Sequence, residues 1–271
     1  MIGKGCIRPV VEPHLARVAF RMHAAMRAAL PGSVDLRDTG LVAPVKDQGG
    51  SGSCTGHSSS GATETAFALA GDPLGFVPSE IDLYRGGRSI DRARTTPYSH
   101  ALPKLTDDGA MTDDVIAYMA TFGIRARTSQ ASDGRNSDVD LATVNAELSL
   151  GDLETDGQRL TVGPYAVNPL APDAEHQVQA ALAARIPVRV DAFVDSTFEA
   201  WTPGKAPVPA PDEKDPSGGG HAIYLVGYIP GAYILRNSWG TTAGDAGDYL
   251  VSSAWLRKAW GIWPWAVKRA A

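Results

Sequence analysis

Gln48-Gly49-Gly50-Ser51-Gly52-Ser53-Cys54, followed by the proline-free run TGHSSSGATETAFALA over 55–70, is the stretch that decides how the rest of the chain is read. Small helix-compatible residues predict a helix over 53–70, stopped at Gly71. The cysteine then stands at the positive end of that helix, where the field favours thiolate over thiol and lowers the pKa. Its own N–H is one of the helix's unpaired donors and can serve a developing oxyanion. The preceding glycines let backbone approach a ligand, and Gln48 adds a side-chain amide for the same purpose. The competing reading is a buried free cysteine, the usual fate of a lone thiol, against which the glycine-rich setting argues.

Two further blocks supply what such a thiol needs. Gly218-Gly219-Gly220-His221-Ala222 opens an apolar run, so His221 sits on rigid structure beside freely moving backbone, as suits a general base. Asn237-Ser238-Trp239-Gly240 ends another apolar run. An amide oxygen there can fix one imidazole nitrogen and aim the other at sulfur, while an indole keeps water away. Taken singly, a histidine that begins a strand and an Asn-Ser-Trp-Gly turn are ordinary.

Together the blocks carry a family resemblance. Ser33-Val34-Asp35-Leu36-Arg37, then Val42 through Gln48 (VAPVKDQ) and Gly52-Ser53-Cys54, resembles the start of a mature papain-like cysteine peptidase. His221–Tyr228 (HAIYLVGY) resembles the family's histidine strand, and Asn237-Ser238-Trp239-Gly240-Thr241, with Gly244, Gly247 and Tyr249, its asparagine block. Three blocks in the family's order are far more specific than any one. The resemblance runs from about residue 32 to 255, with a weak middle, and is nearest to bacterial members.

The resemblance implies a two-lobed α+β fold, a helical lobe plus an antiparallel sheet or barrel lobe, with the active site between them. It implies Cys54 as nucleophile, His221 as base, Asn237 as its orienter and Gln48 in the oxyanion hole, with Trp239 shielding the Asn–His bond. Gly52 and Asp108-Gly109-Ala110 would meet extended substrate backbone. Ala222 would border the pocket for the second residue before the scissile bond, and Asp191 would reach the same pocket and favour basic side chains there. The implied reaction is peptide hydrolysis through a thioester, needing no metal or organic cofactor. An acyl transferase or amidase using the same groups, or an inactive binding module, are the alternatives. Departures from the pattern are Ser51 in place of a disulfide cysteine, Thr55 in place of the aromatic residue after the nucleophile, and Ala243 in place of a second tryptophan.

Outside these blocks, Leu15, Val18, Met22, Ala25 and Ala29 share a face at helical spacing, so residues 1–31 read as a leader with one amphipathic helix. It packs on the body or, as a pro-segment, crosses the cleft of a zymogen. Residues 32–271 form the catalytic domain, with a helical lobe roughly over 50–150 and a β lobe roughly over 160–260. Helices are expected over 112–122 and 175–184, and strands over 187–194, 221–228, 232–237 and 248–252.

A net charge of −5 with well-mixed signs excludes a nucleic-acid footprint. The best apolar run, Ala222–Ile229, is far too short to span a membrane. Without an apolar h-region near the start, and with two cysteines, the chain reads as a cytoplasmic protein of a reducing compartment whose partner is a peptide or protein substrate. Cys54-x-x-His57 lacks a second ligand pair for zinc, so His57 reads as a helix residue packed between lobes. His14, His23, His100 and His176 read as surface residues, Trp255, Trp260, Trp263 and Trp265 as a core plug, and Cys6 as a plain leader residue.

Overall fold

A computed structural model describes residues 4–7, 18–19, 29–95, 107–127, 160–162 and 165–269. Strands β1 (Val18–Ala19) and β2 (Val34–Asp35) precede helices α1 (Cys54–Leu69), α2 (Glu80–Thr95) and α3 (Thr112–Phe122). After short strands β3 (Leu160–Val162) and β4 (Tyr165–Ala166) come α4 (Ala174–Ala183), β5 (Val188–Val194) and the single turn α5 (Ser196–Glu199). The chain continues as β6 (Gly219–Ile229), β7 (Ala232–Arg236), β8 (Asp248–Ser252), the turn α6 (Ser253–Leu256), β9 (Gly261–Pro264) and β10 (Val267–Arg269).

α1 is buried on nearly every side, which explains its run of small residues. A methyl group on Gly56 would strike the Glu80 carbonyl of α2, and one on Gly61 would press on the Tyr224 ring of β6. Most buried hydroxyls of the helix find partners, as interior polar groups generally do, although Thr55 Oγ1 has none among the described residues. Ser60 donates to the Pro78 carbonyl at 2.8 Å, Ser59 accepts from Arg189 at 3.1 Å, and Thr63 accepts from the Trp265 indole at 2.9 Å.

The sheet runs β8-β7-β6-β5-β9, with β2 also pairing β6, and every one of these pairings is antiparallel. It stays open, with β8 and β9 at its ends, so the barrel form of the expected β lobe is not adopted. β5 is buried along almost its whole length, because α1 and α4 pack against it and β6. Its register with β6 sets Ala192 opposite His221 and Asp191 opposite Ala222.

Three expectations need correction. Val18–Ala19 is a strand pairing Tyr165–Ala166 in parallel, so the leader is not helical there; the remainder of the supposed helix up to residue 28 lies outside the described residues. α2 has no counterpart among the expected helices, because Gly86-Gly87 and its many charges hide the helical period. Tertiary packing accounts for those glycines: added methyl groups would run into the Tyr118 ring and the Val115 side chain of α3. β9 is a strand within the tryptophan-rich segment expected only as a plug, and Trp255, Trp263 and Trp265 are indeed buried. Among the described residues no helix is long and apolar enough to cross a membrane.

Candidate active site

The N-terminus of α1 carries Cys54, fully buried, and the loop before it is pinned from several sides. Ser51 donates to the Gln48 carbonyl at 3.0 Å and meets the Ser53 hydroxyl at 2.5 Å. Hydroxyl bonds thus hold the turn in which the family resemblance places a disulfide. The Asp107 carboxylate takes the Gly52 N–H at 2.9 Å and the Tyr84 hydroxyl at 2.9 Å. Gln48 is fully buried, with its Nε2 donating to the Ser51 carbonyl at 2.9 Å and its Oε1 accepting from Ser238 at 2.6 Å. That second bond ties the cysteine loop directly to the block containing Asn237.

His221 lies early in β6, and its Nε2 meets Asn237 Oδ1 at 2.7 Å. Nδ1 is buried and has no hydrogen-bond partner among the described residues. The Trp239 ring stacks on the imidazole with centroids 4.6 Å apart, supplying the aromatic cover that Thr55 cannot. Phe198 and Tyr249 back the indole edge-on, at 5.6 and 6.2 Å. Ala222, next along from His221, shares a buried cluster with Cys54 and so joins the two halves of the site.

The segment around Cys6, expected to be plain leader, closes this site. Cys6 pairs in parallel with Ala110: the Ala110 N–H donates to Gly5 at 2.8 Å, and Ile7 donates to Ala110 at 3.1 Å. On the other wall the Cys6 N–H donates to the Gly220 carbonyl at 3.1 Å. Lys4 donates to the Ser217 carbonyl at 2.6 Å and ion-pairs with Glu199. Gly5 lies so close to Gly52 that a methyl group there would collide with backbone, and Gly109, at φ +92°, meets Gly5 in the same way. Cys6 also joins Cys54 and Ala222 in one buried cluster. Cys6 is therefore a cleft residue.

This cover sets the ionisation of the site. Burial pushes the Cys54 thiol up to about 11, against the pull of the nearby Ala222 and Gly5 amides. Burial likewise pushes His221 down to about 4, with the Asn237 bond opposing and the Lys4 and His57 charges reinforcing the shift. The expected lowering of the Cys54 pKa is thus reversed in the closed form, because the segment removes the water that would solvate a thiolate.

The remaining expectations divide. Gly109 and Ala110 meet the Gly5–Ile7 segment through backbone, whereas the Asp108 side chain is 64% exposed and pairs at 3.4 Å with Arg88. Its neighbour Asp107 holds the loop instead, and nothing in a bare Asp-Asp pair tells the two apart. Asp191 is fully buried and salt-bridged to Arg189 at 3.2 Å, so it is not the unpaired anion that a basic substrate side chain would need. His57 is buried in α1 with Nδ1 3.0 Å from the Ser53 carbonyl. Among the described residues no group of three His, Cys, Asp or Glu side chains could hold a metal ion. His176 is exposed, while His14, His23 and His100 lie outside the described residues.

Comparison with known proteins agrees with this geometry. The family profile described as "Papain family cysteine protease" matches residues 30–255. Thiol protease aleurain of Arabidopsis thaliana is 25% identical over 233 residues, 84% of this chain and 57% of its own length. Cysteine proteinase 2 of Zea mays is 27% identical over 238 residues, again covering 84% and 57%. The chain thus spans rather more than half the length of these curated relatives. Xylellain, a cysteine protease from Xylella fastidiosa, superposes with a TM-score of 0.73 at 22% identity, covering 100% of this chain and 97% of that one. Digestive procathepsin L 3 of Tenebrio molitor gives 0.60 at 21% identity, covering 97% and 75%. With the profile spanning most of its length, the chain belongs to the papain family of cysteine proteases.

Proposed function

We propose that this chain is a cysteine peptidase in which Cys54 attacks a peptide carbonyl and passes through a thioester. The carrying observation is the 2.7 Å bond from His221 to Asn237, which commits Nε2 and leaves Nδ1 as the nitrogen free to serve a thiol. With the cleft open, proton transfer from Cys54 to His221 gives the thiolate–imidazolium pair. The sulfur adds to the carbonyl carbon, and the Cys54 N–H and Gln48 stabilise the oxyanion. Breakdown expels the amine, which takes its proton from His221. Water, deprotonated by His221, then cleaves the thioester and restores the thiol.

The leader, residues 1–31, is proposed to keep the enzyme closed until it leaves or is removed. In the closed form Gly5 packs backbone to backbone against Gly52, and Cys6 shares a buried cluster with Cys54. Labelling with an epoxide or vinyl-sulfone inactivator, read by intact mass and peptide mapping, tests the whole reading. Single labelling at Cys54 that is lost in Cys54→Ala and strongly slowed in His221→Ala is expected. A Cys54 that reacts no faster than Cys6 once the leader is cleaved would sink it.

A further inference from the structure

The peptide group between Gly109 and Ala110 is gripped from both ends. A trans peptide is planar, so its carbonyl and its N–H point in opposite directions. The Ala110 N–H donates to the Gly5 carbonyl at 2.8 Å, on the side of the segment that crosses the cleft. The Gly109 carbonyl, on the opposite side, accepts from Arg88 Nη1 of α2. Glycine at φ +92° tolerates backbone rotations that a side chain would forbid, so this peptide has no orientation of its own. The bond from Arg88 supplies one.

The preceding peptide is fixed from the same helix. The Gly109 N–H donates to the Tyr84 hydroxyl at 2.9 Å, and that hydroxyl donates to Asp107 at 2.9 Å. A phenol has one proton to give, and with Asp107 receiving it the oxygen is left to Gly109 as an acceptor. Asp107 also takes the Gly52 N–H at 2.9 Å, so the chain of bonds ends on the loop before Cys54. Tyr84 is fully buried and stands one helical turn before Arg88, whose guanidinium carbon lies 5.7 Å from the Tyr84 ring centroid. Between them Gly86 and Gly87 seat α2 closely on Tyr118 and Val115 of α3. Two side chains four residues apart on a firmly packed helix thus set both peptides flanking Gly109.

We propose that Arg88 and Tyr84 are positioning residues that aim the Ala110 N–H at the backbone of a bound peptide. The Gly5 carbonyl takes that donor in the closed form, and a substrate carbonyl takes it in the open one. Without Arg88 the Gly109–Ala110 peptide is free to turn over, and its carbonyl would then oppose the carbonyl of the substrate. The assignment rests on the peptidase reading above and names the residues on which its grip on peptide backbone depends.

The test compares two p-nitrophenyl esters with the full chain as enzyme. One is the ester of an acetylated dipeptide; the other, of hexanoic acid, has the same kind of reacting carbonyl with no amide behind it. The closed fraction lowers both rates by one factor and cancels from their kcat/KM ratio. Arg88→Met keeps an unbranched apolar stem and removes every donor, while Tyr84→Phe keeps the ring and removes the hydroxyl. Each should lower the peptide-to-hexanoate ratio by about fivefold or more, the size of one lost hydrogen bond. Arg88→Lys, which keeps a donor on a long stem, should recover part of it. General structural damage lowers both esters alike and leaves the ratio unmoved.

A ratio within about twofold of the parent in Arg88→Met overturns the assignment. If that variant does not fold, Tyr84→Phe decides by the same criterion. The peptidase reading stands in either case provided the parent cleaves the dipeptide ester in a way that needs Cys54 and His221. A parent whose turnover is absent, or is unchanged in Cys54→Ala and His221→Ala, overturns the two together.

Discussion

Replacing Gly5 with alanine adds one methyl group where two backbones already touch. The new Cβ would collide with the Gly52 carbonyl. Gly52 cannot retreat cheaply, since its N–H is held by Asp107 at 2.9 Å and its neighbours Ser51 and Ser53 are hydrogen-bonded at 2.5 Å. Overpacking of this kind costs about 1–3 kcal/mol. If the strain falls on the closed form alone, the open population rises by about 5- to 150-fold, at roughly 1.4 kcal/mol per factor of ten. The readout is Cys54 alkylation by iodoacetamide in the full chain at neutral pH, with peptide mapping to separate it from Cys6. Reaction through a minor open state makes the observed rate proportional to the open fraction, so the same gain should appear in the rate. Lys4→Ala, which removes only contacts to Ser217 and Glu199, should raise the rate far less, because such peripheral ion pairs contribute under about 1 kcal/mol. A Gly5→Ala rate within about twofold of the parent would refute the claim that this contact holds the cleft shut.

Asn237→Ala removes the 2.7 Å partner of His221 Nε2, and with the imidazole no longer fixed in tautomer or direction, kcat/KM on a small peptide amide should fall by about ten- to a hundredfold. Asp107→Ala strands the Gly52 N–H and the Tyr84 hydroxyl, which should cost about 1–3 kcal/mol in urea unfolding and slow Cys54 labelling in the leader-released enzyme. Below its ordinary pKa of 6.5 the unfolded chain binds a proton at His221 that the closed form refuses down to about 4. Stability contributed by the neutral imidazole is therefore present above pH 6.5 and is lost as pH falls toward 4, by at most about 3 kcal/mol. The difference between parent and His221→Gln in urea midpoints across that window checks it, and parallel pH slopes would rule it out. Glu80→Ala leaves Arg127 without its buried anion and Lys46, 2.7 Å away, with Glu64 alone at 2.6 Å. Unfolding should come about 3–5 kcal/mol earlier, as when one member of a buried pair is removed.

Local chemistry makes much of this protein legible from the order of its amino acids. The glycine- and serine-rich approach to Cys54, the glycine-led strand at His221 and the Asn-Ser-Trp-Gly turn each constrain backbone over a few residues, and together they point to one constellation. α1, α3, β5, β6, β7 and β8 follow from short-range periodicity and turn residues in the same way. Several decisive features involve partners far apart in sequence. Gly86-Gly87 reads as a helix breaker because the ring and side chain of α3 that require it are invisible locally. Asp107 and Asp108 are indistinguishable until Gly52 and Tyr84 choose between them, and Asp191 reads as an acid of unknown charge balance until Arg189 and Thr112 close around it. Lys4–Ile7 shows the same limit most clearly. A short stretch without periodicity carries no intrinsic instruction to cross a cleft, and its place is set by Gly52, Ala110 and Gly220, which lie far from it and from one another along the chain. What the sequence determined alone was which groups could do chemistry. The tertiary structure decided which of them meet, and that in this closed form burial holds Cys54 and His221 uncharged until water returns.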